Sequence, residues 1–363
     1  MLSILGALAC IHSLRNYSSK NPVWVEAPLT SRNEFWKGRR VFVTGCTGIL
    51  GSWLTLALVD TGAEVVGLVR DSVPQSNLYW SGTYKRIVQV HGRITDFDLL
   101  LRILHEYEIE TVFNLAAQSS VRVANRLPIN TLESNIRGTW LLLEACRLTK
   151  TVKRVVTASS DKAYGDQEIL PYSEEAPVQG RYPYDVSKSC ADLIARAFAS
   201  TYDLPVGITR CGNIYGGGDR NWDRIVPGTI RSVLRGEAPL IRSDGTPLRD
   251  YLYVDDIVEG YLRLAEHLDD PSLYGQAFNF GMDDPKSVRE MIESIIAISD
   301  CPDLKPIILN EAHHEIQKQY LSSEKARRVL GWRPHYTLEE GLRLTLAWYA
   351  KYLPEIENVM MHA

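Results

Sequence analysis

A chain of 363 residues, of which 45% are hydrophobic and 23% charged, is long enough to bury a large core and too apolar to be disordered. Its formal net charge of −4 gives no electrostatic reason to expect nucleic acid or a membrane surface as a partner. The 6 cysteines are scattered without a C-x-x-C pair, which argues against a disulfide scaffold or a zinc site and is typical of reduced cytoplasmic thiols. The adjacent His313 and His314 have no third ligand nearby in the sequence, so we predict a surface position for them and no metal.

The N-terminal stretch 1–35 differs from the rest of the chain. Residues 1–11 are apolar but cover only about half the length that a membrane-spanning helix needs. They also lack the basic residues that begin a secretory signal. We expect 1–35 to be an extension, packed on the surface or partly disordered, with a targeting role as the alternative.

From residue 40 onward, short β-rich runs alternate with segments of helical periodicity. This rhythm predicts an α/β fold with a doubly wound parallel sheet of the Rossmann type. Beyond about residue 215 the spacing loosens into longer loops, which indicates a smaller second domain over the open end of the sheet. The predicted strands are 40–44, 64–69, 87–90, 111–115, 154–158 and 206–210, and the predicted helices are 52–61, 99–107, 130–149 and 184–202.

A glycine-rich turn follows the first predicted strand. Gly45, Gly48 and Gly51 form the pattern G-x-x-G-x-x-G directly before a helix. In a strand-turn-helix unit these glycines permit a tight turn, close approach of a pyrophosphate and close packing of helix on strand. We therefore predict an NAD(P)-binding domain at 36–215, a mainly substrate-binding C-terminal domain at 216–350, interleaved with the first, and a tail at 351–363.

The end of the second strand usually distinguishes NAD from NADP, because an acidic side chain there binds the ribose hydroxyls. Here Arg70 and Asp71 stand together. The arginine would suit the 2′-phosphate of NADP and the aspartate the free diol of NAD, so both cofactors stay open at this point.

A tyrosine and a lysine lie four residues apart in the predicted helix 184–202. This spacing places Tyr184 and Lys188 on one helix face. A nearby ammonium stabilises a phenolate, so we expect Lys188 to lower the pKa of Tyr184 and make it a general base. Ser160 lies just after the predicted strand 154–158, and the Asp161–Lys162 pair follows it. That pair is either a solvated turn or part of an active site.

Several longer segments resemble the extended short-chain dehydrogenase/reductases that act on nucleotide sugars. They are VTGCTGILGSWL, NLAAQ, SDKAYG, YPYDVSK, RCGNIYGGGD and RDYLYVDD, within a likeness that covers about 35–348. Inside this family the chain is most similar to the CDP-glucose 4,6-dehydratases. One departure is Arg93, which stands where many relatives have an aspartate for the adenine.

The resemblance implies a fold, a set of binding residues and a dimer. The family fold is a Rossmann sheet with a small C-terminal sugar-nucleotide domain, and its usual homodimer would form here through helices near 131–149 and 184–203. Arg224 is either a contact to the substrate or an ordinary surface arginine. The implied cofactor residues are Gly45, Thr47, Gly48, Ile49, Leu50, Gly51, Arg70, Ile94, Ala116, Ala117, Tyr184 and Lys188, and the implied substrate residues are Gln118, Ser119, Asn213, Arg224 and Arg249.

The resemblance also implies a reaction. Ser160, Tyr184 and Lys188 would support oxidation at C4 of the sugar, as in an epimerase. A dehydratase must in addition eliminate water across C5 and C6, which needs an acid and a base. Asp161 and Lys162 occupy the family positions for these two roles. We therefore predict a 4,6-dehydratase, and the internal return of hydride favours tightly held NAD. The alternatives are a 4-epimerase or decarboxylase on the same scaffold, and a non-catalytic NAD(P)-binding sensor or scaffold protein.

Overall fold

The computed structural model describes residues 33–311 and 316–361. The N-terminal extension falls outside this range up to residue 32, as do His313 and His314. The helices are α1 Asn33–Trp36, α2 Ile49–Asp60, α3 Asn77–Trp80, α4 Phe97–Glu106, α5 Val121–Arg126, α6 Pro128–Leu132, α7 Gly138–Leu148, α8 Pro183–Tyr202, α9 Ile225–Leu234, α10 Val254–His267, α11 Val288–Ala297, α12 Glu324–Leu330 and α13 Leu338–Met361. The strands are β1 Arg40–Thr44, β2 Glu64–Val69, β3 Val88–His91, β4 Thr111–Asn114, β5 Arg154–Ala158, β6 Val206–Cys211, β7 Asn213–Tyr215, β8 Leu240–Ile241, β9 Leu248–Arg249, β10 Tyr251–Tyr253, β11 Ala277–Phe280, β12 Lys286–Ser287, β13 Ile307–Ile308 and β14 Lys318–Gln319.

The main sheet has seven parallel strands in the order β11-β6-β5-β4-β1-β2-β3. Its central strands are short and β-branched, and β5 and β6 are almost completely buried, as expected for a sheet covered on both faces. The predicted doubly wound α/β sheet is confirmed. Strand β11 comes from the stretch that the sequence places in the substrate-binding domain.

Two apolar clusters lie on opposite faces of the sheet. One includes α2, α10 and the C-terminal helix α13, and the other includes α4, α7 and α8. The predicted helix 130–149 is a continuous helical segment in which a π-helical turn, Glu133–Arg137, joins α6 to α7. Helix α13 continues through residue 350, where the sequence predicts the start of a tail. No helix within the described ranges is both long and apolar enough to cross a bilayer.

The order of the strands reverses between β1 and β4, so a crevice opens beyond their carboxyl ends. Such a switch point is where ligands bind in doubly wound sheets. The Thr44 hydroxyl accepts hydrogen bonds from the backbone N–H groups of Leu115 and Ala116, each at 3.0 Å. These bonds fix the loop after β4 against the end of β1 and thereby shape the crevice.

Smaller sheets from the C-terminal half cover the open end of this crevice. Strand β7 pairs with β10, and β9 lies between β12 and β14. In the pairing of β14 with β9, Gln319 lies opposite Arg249. The C-terminal half therefore presents side chains to the crevice from short strands rather than from the main sheet.

Candidate active site

A single cleft of about 1680 Å³ lies at the carboxyl end of the main sheet, and every residue that the sequence predicts for the site lines it. The structure therefore brings all of these residues together. They come from the glycine turn, the ends of β2, β4, β5 and β7, the loop after β3, helix α8, the loop before α9 and strand β9.

The glycine turn has no room for side chains at two of its positions. Gly45 has φ +72°, and a Cβ added there would lie 2.8 Å from the backbone nitrogen of Ala116. A Cβ on Gly51 would lie 2.1 Å from the carbonyl oxygen of Gly45. The N-terminus of α2 therefore packs directly on the turn, and Gly48, Ile49 and Leu50 face the cleft. Free N–H groups at a helix start suit a pyrophosphate.

The side of the cleft next to β2 and β4 is also suited to a dinucleotide. Arg70 and Asp71 form an ion pair at 2.6 Å, with about two thirds of each side chain exposed. Ile94 is buried and packs so closely on α7 that a Cβ at Gly138 would lie 2.5 Å from it. The ion pair engages the arginine and the aspartate alike, so it favours neither NADP nor NAD.

Ser160, Tyr184 and Lys188 are buried together at the centre of the cleft. Burial raises the pKa of Tyr184 to about 12, and the charge of Arg224 and a hydrogen bond with the Ser160 side chain act in the opposite direction. The Lys188 ammonium donates to the carbonyl oxygen of Ala158 at 2.7 Å, and burial lowers its pKa to about 8. The expected lowering of the tyrosine pKa by Lys188 is therefore wrong for the protein alone, because desolvation outweighs the nearby positive charges.

Asp161 and Lys162 do not form a solvated turn. Only 3% of Asp161 is exposed. One carboxylate oxygen accepts a hydrogen bond from the Ser160 hydroxyl at 2.9 Å. The other is buried and has no hydrogen-bond partner among residues 33–311 and 316–361. A buried carboxylate oxygen without a partner is costly and needs a ligand to satisfy it. Lys162 is partly buried, lines the same wall and donates to the side-chain oxygen of Gln319.

The substrate end of the cleft joins side chains from both halves of the chain. Arg224 donates to the Ser119 hydroxyl at 3.2 Å and to Asp219 at 2.9 Å, so the arginine is an organised part of the wall rather than a free surface residue. Arg249 is buried and is held by a hydrogen bond to the carbonyl oxygen of Leu248 at 2.8 Å. The backbone N–H of Gln118 donates to the side-chain oxygen of Asn135, and the backbone N–H of Asn213 donates to the backbone carbonyl oxygen of Asp250.

Sequence reasoning missed several residues that line this cleft. Asp185, directly after Tyr184, is buried in the wall, and its position next to a residue predicted for the site was a signal that could have identified it. Arg122 and Arg242 both pair with Asp223, at 3.0 Å and 3.2 Å, across the mouth of the cleft. No local sequence pattern predicts these ion pairs, because Arg122 and Asp223, for example, are 101 residues apart.

Comparison with known proteins supports the same family. The model of the GDP-mannose 4,6 dehydratase family matches residues 42–345. CDP-glucose 4,6-dehydratase of Salmonella typhimurium is 34% identical over 334 residues, which cover 88% of this chain and 92% of the relative. UDP-glucose 4-epimerase of Mycolicibacterium smegmatis is 32% identical, covering 85% of this chain and 98% of the relative.

Solved structures agree with the fold and the cofactor. The dTDP-glucose 4,6-dehydratase of Streptomyces venezuelae, solved with NAD bound, superposes with a TM-score of 0.76 at 29% identity, covering 87% of this chain and 98% of its own. The resemblance predicted from the sequence motifs is thus confirmed. This chain belongs to the GDP-mannose 4,6 dehydratase family, within the extended short-chain dehydrogenase/reductases that act on nucleotide sugars.

Proposed function

We propose that the protein is a nucleotide-sugar 4,6-dehydratase, with CDP-glucose as its substrate and a 4-keto-6-deoxy nucleotide sugar as its product. The observation that carries this proposal is the Asp161 carboxylate, buried beside Ser160 with one oxygen unpartnered in the described part of the chain. A 4-epimerase needs no acid at this place. The similarity to the Salmonella CDP-glucose enzyme supports the choice of nucleotide.

The cradle for NAD consists of the glycine turn, the ends of β2 and β4, and the Tyr184–Lys188 face of α8. Its fit rests on the two glycines that cannot carry a Cβ and on the backbone N–H groups at the start of α2. When bound, NAD supplies the redox chemistry that side chains lack, by accepting a hydride from C4 of the sugar and returning it to C6.

The first task of the chain's own residues is proton removal at C4. Tyr184 takes the proton of the 4-hydroxyl, and Ser160 orients that hydroxyl by a hydrogen bond. The pKa of Tyr184, about 12, must fall for this role. The Arg224 charge and the hydrogen bond with Ser160 act in this direction, and Lys188 lies one turn along the same helix face.

The second task is elimination across C5 and C6. The 4-ketone acidifies the C5 hydrogen, and the Lys162 amine takes that proton. The C5–H electron pair forms the C5–C6 double bond as the C6–O bond breaks, and Asp161 protonates the departing oxygen so that it leaves as water. The acid and base are adjacent residues of one turn, Asp161–Tyr164, and both line the cleft.

A direct test is to incubate the protein and NAD with CDP-glucose and a panel of other nucleotide hexoses, and to measure the product mass. We expect loss of one water from CDP-glucose. Asp161→Asn should still oxidise C4 but should slow product formation by about 10²-fold or more, because an amide cannot protonate the leaving group.

The matched control is Asp166→Asn, an exposed aspartate just beyond the same turn, which should behave like the parent. Epimerised sugar of unchanged mass would contradict a dehydratase. Full dehydration by Asp161→Asn would contradict the acid.

We also propose a homodimer through α6, α7 and α8. These helices pack side by side, and a row of large apolar side chains faces outward from them: Ile129, Leu132, Trp140, Leu148 and Leu193. Large apolar side chains left exposed on packed helices are typical of a subunit interface. Sedimentation should show a dimer for the parent and monomer for Leu193→Glu. Ile169→Glu, at an exposed isoleucine outside these helices, should remain dimeric, and a dimeric Leu193→Glu would point to another interface.

A further inference from the structure

Gln319 is a fully buried polar residue that no step of the reaction uses. It lies on the two-residue strand β14, far along the chain from the turn Asp161–Tyr164. Its side-chain NH₂ donates to the backbone carbonyl oxygen of Asp161 at 3.1 Å, and its side-chain oxygen accepts from the Lys162 ammonium. Both polar groups of the Gln319 amide therefore form hydrogen bonds to the proposed acid and base, Asp161 and Lys162.

The orientation of this amide follows from its two partners. An ammonium only donates and a carbonyl oxygen only accepts, so the reversed amide would lose both bonds. The backbone around Gln319 is also anchored, since Tyr320 accepts from the N–H of Tyr172 at 2.9 Å and Leu321 donates to Asp250 at 2.8 Å. A rigid amide in the C-terminal half thus meets a flexible lysine in the Rossmann half.

The neutrality of Gln319 matters for a base. The Lys162 charge acts to lower the pKa of Asp185, so one carboxyl already lies near the ammonium. A further carboxylate in direct contact with the ammonium would favour its protonated form. An amide fixes the position of the amine and adds no negative charge.

We infer that Gln319 is a positioning residue for elimination, which holds Lys162 at the C5 hydrogen and fixes the backbone of Asp161. This inference rests on the proposed dehydratase function. Gln319 lies behind the cleft wall, so its loss should leave oxidation at C4 and the substrate KM nearly unchanged. A displacement of a reacting group by about 1 Å can reduce its rate by about 10²-fold.

The test measures removal of the C5 proton separately from the other steps of the reaction. The 4-keto-6-deoxy product, offered back to the NAD-loaded enzyme in deuterated water, has no leaving group, so its C5 hydrogen exchanges through the base alone. Gln319→Met keeps the volume but loses both hydrogen bonds, and we expect C5 exchange to slow by about 10- to 10²-fold. With the parent's sugar substrate, absorbance of reduced nicotinamide should still rise at nearly the parental rate and then persist.

The matched control is Gln276→Met, because Gln276 also accepts from a lysine, Lys325, at 2.8 Å, but on the exposed surface. It should exchange C5 like the parent. If Gln319→Met does not fold, Gln319→Glu serves instead. It retains an acceptor but adds the negative charge, so it should oxidise C4 and exchange C5 slowly at neutral pH.

C5 exchange at the parental rate in either Gln319 variant would overturn the inference alone. The same result in Lys162→Met would overturn both the inference and the assignment of Lys162 as the base. Equal loss of C4 oxidation and C5 exchange in the Gln319 variants would also overturn the inference, since that is the signature of a merely structural residue. If the parent itself removes water from no nucleotide hexose, the proposed function fails, and this inference fails with it.

Discussion

The two ends of the cleft are built in different ways. The cofactor end consists largely of backbone and small residues, and its core, from Gly45 to Gly51, is one short turn. The substrate end consists of charged side chains joined over long separations, such as Arg224 with Ser119, 105 residues apart, and Lys162 with Gln319, 157 residues apart. The first end depends on local backbone shape, and the second on how the two halves of the chain pack.

The largest effect should come from the centre, where the two ends meet. Tyr184→Phe removes the group that takes the C4 proton, so turnover should fall by about 10²-fold or more while NAD stays bound. Turnover is measured with the preferred nucleotide sugar and cofactor retention by release from denatured protein. Tyr182→Phe, on a neighbouring residue of the same cleft, is the control. Turnover within a few-fold of the parent would remove Tyr184 from the mechanism.

The next effect separates backbone shape from ligand contact at the cofactor end. Gly51→Ala places a Cβ 2.1 Å from the Gly45 carbonyl oxygen, so we expect the free energy of unfolding to fall by about 1–3 kcal/mol. At Gly48 the same distance is 3.3 Å, so Gly48→Ala should cost less stability and mainly weaken NAD binding. Denaturant titration and NAD titration measure the two effects, and equal stability losses would contradict this division of roles.

A smaller effect concerns the pH dependence of stability. The folded pKa of Lys188 is about 8 against 10.5 ordinarily, so between these values the unfolded chain binds more protons and the free energy of unfolding rises with pH. Lys188→Met removes this contribution. Between pH 7.5 and 9.5, the stability of the parent relative to the variant should increase by about 2 kcal/mol. Denaturant titrations at several pH values give this difference, and a constant difference would mean that the lysine is not desolvated.

The contrast between local backbone shape and long-range packing also explains which parts of the structure could be predicted from the sequence. The strands β1, β2 and β5 were predicted with their observed bounds, because short β-branched runs between turns identify buried strands. The glycine turn was predictable because its pattern is contiguous. Strand β11 was missed, since a run of four residues after helix α10 is too short to be distinguished from the loops predicted beyond residue 215.

Long-range contacts escaped prediction for a different reason. No pattern in the residues around Gln319 predicts that its amide forms a hydrogen bond with the turn Asp161–Tyr164, because that contact depends on the pairing of β14 with β9. The raised pKa of Tyr184 was missed as well, because desolvation depends on how many atoms surround the ring, which one helix face does not determine. The roles assigned to the site residues stay predictions until the variants are measured.

The position of β11 at the end of the main sheet has a consequence for synthesis of the chain. Until residue 280 has left the ribosome, β6 presents an open edge whose six residues are all buried in the finished protein. An unpaired strand edge of this kind readily joins another chain. The nucleotide-binding half therefore cannot complete itself during translation, and a fragment ending near residue 215 should aggregate rather than fold as a separate module.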